Sequence, residues 1–144
     1  MNKKNFLICL LLSKLLLLPV IVRADVIDLH VMGGQSNMQG WRSDARYYPS
    51  NGSQLDSSIQ FFYEAVEYAS SKRRWIPMGP QGGHFASGHF GPEVTFARQV
   101  KRYGFNPAIF KFSYGSSSLA ETWRAPGRGG LYCLLYTSPS PRDS

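Results

Sequence analysis

The chain has 144 residues, a formal net charge of +7, 43% hydrophobic residues and two cysteines. Much of the charge lies at its ends. Residues 25–132 hold 11 of the 16 basic and 8 of the 9 acidic residues, which leaves an excess of +3, too small to mark a nucleic-acid partner. Cysteines at positions 9 and 133 form neither a disulfide framework nor a cysteine metal site inside that stretch.

The first 24 residues read as a secretion signal. Asn2-Lys3-Lys4-Asn5 is a positive start, and Phe6 to Val22 is apolar apart from Ser13, Lys14 and Pro19. Val22-Arg23-Ala24 then places small or apolar residues where a signal peptidase reads, so cleavage is expected after Ala24. Lys14 leaves apolar pieces well short of the roughly 20 residues of a spanning helix, which argues against a retained anchor. The mature chain is therefore expected to be secreted or periplasmic, without stable membrane association.

The apolar run Val26-Ile27-Asp28-Leu29-His30-Val31 predicts a first strand. It leads into Met32-Gly33-Gly34-Gln35-Ser36-Asn37-Met38-Gln39-Gly40, where glycines before and after a lone serine permit a sharp turn. Open α/β sheets carry their reactive groups at the carboxyl ends of strands, which makes Ser36 a candidate nucleophile. Gln35 and Asn37 flank it with amides able to donate to an oxyanion. Gly, Ser and Asn are equally the ordinary residues of a structural turn. Met38 also departs from the G-x-S-x-G elbow of α/β-hydrolases.

Trp41 to Ser58 is polar and rich in turn residues, and Asn51-Gly52-Ser53 is read as an Asn-Gly turn rather than a glycosylation site. Ile59-Gln60-Phe61-Phe62-Tyr63 predicts a second strand. Lys72-Arg73-Arg74 reads as a solvated turn. A glycine-rich loop from Gly79 to Phe90 carries His84 and His89. It precedes a well-marked helix over Gly91–Gly104. Pro92 suits its first position, Glu93 its positive end and Lys101-Arg102 its negative end, with Gly104 closing it. Phe96, Val100 and Tyr103 recur at helical spacing, with Val94 and Ala97 on an adjoining face. Pro107 to Ser113 predicts a third strand, ending in Tyr114-Gly115-Ser116-Ser117-Ser118. Strand, helix and strand imply a parallel crossover. Gly115 and its serines are thereby expected at the same sheet edge as Ser36.

Three islands are then in line: Gly34-Gln35-Ser36-Asn37-Met38, Phe90-Gly91-Pro92-Glu93 with Phe96-Ala97-Arg98, and Tyr114-Gly115-Ser116-Ser117-Ser118-Leu119-Ala120-Glu121-Thr122-Trp123. Together they resemble the SGNH-hydrolase branch that contains sialate O-acetylesterases and the acetyl xylan esterases of carbohydrate esterase family six. The resemblance implies a flavodoxin-like three-layer α/β sandwich with a parallel sheet, truncated at its C-terminal part. It implies a serine ester hydrolase acting on an acetylated sugar or polysaccharide, with no metal or organic cofactor. Ser36 matches the family's nucleophile, Gly115 a glycine of the oxyanion hole, and Ser116 a polar candidate beside it. Gly91 and Glu93 match a G-P-E turn assigned to packing, and Trp123 a recurrent aromatic.

In that family the base is a histidine in an Asp-x-x-His arrangement near the domain's end, after a Gln-Gly-Glu segment; neither motif occurs here. The eleven residues Cys133 to Asp143 resemble a translated transposase sequencing adapter. Residues 25–132 are therefore expected to be the N-terminal part of the esterase domain, with residues 133–144 not native. His30 is expected to be structural, and His84 or His89 a poor substitute base. The fragment is expected to be inactive and poorly folded by itself. The rival readings are a non-catalytic carbohydrate-binding protein and an inactive member of the same fold.

Overall fold

The computed structural model describes residues 25–65, 69–71, 73–124, 130–137 and 140–141. The expected signal segment, Lys72 of the basic run and part of the adapter-like tail lie outside them. The architecture is α/β, built on a mixed five-stranded sheet. Its long strands are β1 (Asp28–Gly34), β2 (Gln60–Ala65) and β5 (Pro107–Ser113); β3 (Ala69–Ser70) and β4 (Ile76–Pro77) are two residues each.

The three long strands are parallel, as the crossover predicts, with β5 between β1 and β2. The two short strands pair antiparallel with β2, so the sheet is mixed where a parallel one was expected. The expected third strand matches β5, whereas β1 begins two residues later and runs three further than expected. Register explains the shift: Asp28 pairs with Pro107 and Gly34 with Ser113, so the glycines complete the ladder. Asp28 anchors its start by accepting the Asn106 N–H at 2.8 Å.

Alternation along β5 separates two cores. Ile109 faces Ile59, Phe61, Tyr63, Met78 and Ala97 on one side. Phe110 and Phe112 face Phe62 and Leu131 on the other, with Trp75, Tyr114 and Trp123 packed against them. β5 is buried along its whole length, consistent with a central parallel strand. β1, by contrast, has a single strand neighbour among the described residues, and Leu29 and Val31 remain 49% and 59% exposed.

Helix α2 (Glu93–Arg102) covers the first core. Gly104, at φ +89°, follows its end as expected. The buried stripe is Glu93, Val94, Ala97 and Arg98, rather than Phe96, Val100 and Tyr103. Phe96 instead packs edge-on against His30 of β1 at 5.1 Å and Tyr103 is exposed, because the helix sits over β5 and its other face lies toward the β1 edge of the sheet. A one-turn helix α1 (Ser36–Gln39) follows β1, and helix α3 (Leu131–Tyr136) crosses the expected end of the native segment at residue 132. Leu131 is drawn into the aromatic core, which gives this aperiodic stretch a place to fold.

Arg98 fastens α2 to the polar loop before β2. Its Nε and Nη2 donate to both Asp56 oxygens at 2.8 and 2.7 Å, and its Nη1 donates to the carbonyls of Pro49 and Asn51. The guanidinium also lies over the Tyr48 ring at 5.1 Å. Removing one member leaves the other buried and unpaired. In the full-length protein Arg98→Met is therefore expected to cost about 3 kcal/mol of unfolding free energy, measured by urea titration, and Arg98→Met with Asp56→Leu less than the two single changes together.

Candidate active site at the carboxyl edge of the sheet

The serine turn emerges from the end of β1 as α1. Gln39 N–H donates to the Gln35 carbonyl and Gly40 N–H to the Ser36 carbonyl, both at 3.0 Å. Ser36 is thus the first helical residue, and the amides at this end have no partner within the helix. Gly40 ends the turn at φ +84°. A Cβ there would lie 1.7 Å from the Phe90 carbonyl oxygen, so no other residue fits.

Ser36 and Asn37 line a cavity of about 360 Å³ with Gly40, Trp41, Arg42 and Ser43. Gln35 is exposed and does not line it. Gly115 and Ser116 turn at the same edge of the sheet: Gly34 pairs with Ser113, and Tyr114 N–H donates to the Gly34 carbonyl at 3.0 Å. They are brought to the serine's edge but do not line its cavity. Ser116 adopts φ +55°, a conformation that is costly for a residue with a Cβ. Trp123 belongs to the core beneath this edge. Its ring meets Phe112 at 5.7 Å and lies over Gly33, while its Nε1 donates to Ser117 Oγ at 2.8 Å.

No described side chain hydrogen-bonds the Ser36 hydroxyl, and each histidine is placed elsewhere. His30 sits on β1 against Phe96. His84 stacks on Trp41, a wall of the serine's cavity, with ring centroids 4.6 Å apart. His89 is fully buried, and neither ring nitrogen has a hydrogen-bond partner among the described residues. Of the acids, Glu93 is buried against Lys111, and Glu121 lies exposed on the turn after β5. Among the described residues no group of three His, Cys, Asp or Glu side chains is placed to hold a metal ion.

The glycine-rich loop is closed by reciprocal backbone bonds between Gln81 and His89, at 2.9 and 2.8 Å. Asp44 ties the loop to the cavity wall. It accepts from Ser87 Oγ at 2.6 Å and from Arg46, and these donors hold its carboxyl well below the usual carboxylate range. Trp41, Arg42 and Ser43, and the buried Gln39, Gln81 and Lys111, are site features that the sequence reading passed over. Only the position of Trp41 and Arg42 directly after the motif signalled the first group.

Comparison with protein families, with curated proteins and with solved structures returned no match.

Burial, then the nearby Lys111 and His84, pushes the His89 imidazole down to about 4 from its ordinary 6.5. The unfolded chain therefore takes up a proton between pH 6.5 and 4 that the folded chain refuses, and stability falls as pH drops through this window. Unfolding free energy is expected to decrease by on the order of 2 kcal/mol from pH 7 to 4.5, a loss that His89→Gln reduces. Denaturant titrations of full-length wild type and variant at the two pH values check this; equal losses in the two would assign the effect to other groups.

Proposed function

We propose that this chain is the N-terminal part of a secreted serine esterase of the SGNH type, releasing acetate from acetylated sugars. The observation that carries the reading is the position of Ser36: at the carboxyl end of a parallel strand, first in a short helix, on a cavity, and at the same edge as the Gly115 turn.

In this mechanism Ser36 Oγ gives its proton to a histidine supplied by chain beyond residue 132 and attacks the acetyl carbonyl carbon. The tetrahedral oxyanion is held by the Ser36 amide and the Gly115 amide. Asn37, which lines the cavity, is a better placed side-chain donor than Gln35, which does not. Collapse breaks the bond to the sugar oxygen, which takes the proton from the histidine and leaves as a hydroxyl. Water then cleaves the acyl-enzyme by the reverse sequence and yields acetate. Preorganised donors of this kind each contribute on the order of a hundredfold or more.

The test is made on the protein from the uninterrupted gene, with 4-nitrophenyl acetate as substrate. Ser36→Ala is expected to lower kcat at least about a thousandfold. His84→Gln is expected to leave kcat within about threefold, because that ring is committed to Trp41 rather than to the serine. Equal rates for wild type and Ser36→Ala would remove Ser36 from the mechanism. Sugar binding without any hydrolysis would favour the non-catalytic reading.

A further inference from the structure

Behind the serine turn lies a polar node cut off from solvent. Lys111 on β5 and Glu93 on α2 are both 0% exposed, and Lys111 Nζ donates to Glu93 Oε2 at 2.6 Å. The other carboxylate oxygen of Glu93 accepts the Gly91 N–H at 2.9 Å. Lys111 also donates to the carbonyl of Gln39 at 3.3 Å, and Gln81 Nε2 donates to that same oxygen at 2.5 Å. Gln39 is the last residue of α1, whose first residue is Ser36. The packing admits no slack here: a Cβ on Gly91 would lie 2.5 Å from the Met38 carbonyl and 2.8 Å from Lys111 Nζ.

A four-residue helix has no stability of its own, since nucleation costs more than its two hydrogen bonds return. At its amino end α1 continues from a laddered strand. At its carboxyl end the last carbonyl meets two donors from separate elements, one of them charged. We propose that Lys111, held in place by Glu93 and assisted by Gln81, is a positioning residue for Ser36: it grips the Gln39 carbonyl and so fixes the orientation of the one-turn helix that presents the serine. The inference rests on the esterase reading only for its rate consequence; the mechanical part stands apart from it.

The experiment compares wild type with Lys111→Met/Glu93→Leu in the full-length protein. This double change replaces the ion pair by apolar side chains of similar reach, and such swaps are commonly neutral or stabilising. Thermal unfolding is expected to show no loss of stability. Amide exchange at Gly40 and Trp41, both bonded to the Ser36 carbonyl, is expected to speed up about tenfold or more. With 4-nitrophenyl acetate, kcat is expected to fall about tenfold or more with KM within about twofold, because orientation of the nucleophile and not binding is disturbed. Gln81→Met removes the second donor alone, leaves the ion pair intact and is expected to shift both readouts the same way by less; it serves as the test if the double variant does not fold. Unchanged exchange at these amides in a folded variant overturns the proposal, whatever the rates. A wild-type protein that hydrolyses nothing, with exchange still accelerated in the variant, leaves the positioning role standing and removes the esterase reading.

Discussion

A buried ion pair, Lys111 with Glu93, is the constraint around which the carboxyl edge of this sheet is arranged. Burial drives the Lys111 ammonium downward in pKa, and the adjacent Glu93 carboxylate opposes the shift. Removing two charges from water costs several kcal/mol each, so the geometry at this point has little freedom. One carboxylate oxygen faces the ammonium and the other an N–H of the turn before α2; Glu93 also sits in the first turn of that helix, where negative charge is favoured. The ammonium spends a further hydrogen bond on the end of α1. The central strand, the covering helix and the serine turn are thereby tied at a single place.

The sheet around that node is asymmetric. β5 is buried on both faces, with aliphatic and aromatic packing under α2 and an aromatic cluster of Phe62, Phe110, Phe112 and Leu131 opposite. β1 carries the serine yet is the barest long strand, with Leu29 and Val31 exposed and Phe96 of α2 40% exposed nearby. Parallel sheets ordinarily bury both faces. The nucleophile candidate is therefore carried by the strand that the described residues cover least, and its placement depends on the ladder to β5 and on the buried node.

On the proposed esterase reading, the site supplies half of a serine hydrolase. It offers a hydroxyl on a cavity, helix-end amides beside it and a second turn at the same edge, as acyl transfer requires. The described histidines are engaged otherwise: in a strand, on an indole, and within a sealed loop. His89 is buried in its loop, and neither of its ring nitrogens has a hydrogen-bond partner among the described residues. Asp44, Arg46 and Ser87 form a separate clasp that holds the glycine-rich loop against the wall of the cavity.

The three long strands and the long helix were legible in the residues, since apolar runs and end signals act locally: β5 coincides with the predicted run, and Pro92, Glu93 and Gly104 mark the ends of α2 as their chemistry demands, whereas the two-residue strands β3 and β4 were not foreseen. The common edge of Ser36 and Gly115 was expected too; the helix between β2 and β5 implies only that those two are parallel, and the parallel register of β1 on β5 places Ser36 at the same edge. What the residues left open was which helix face is inward. Phe96 and Tyr103 carry the larger side chains, yet Glu93, Val94, Ala97 and Arg98 are buried, because the partners that compensate the charges, Lys111 and Asp56, come from distant parts of the chain. Periodicity ranks side chains by hydrophobicity and is blind to such pairing. A lysine inside a strand and a glutamate after a proline read as surface residues one at a time; only the fold brings them within 2.6 Å, out of water and behind the serine.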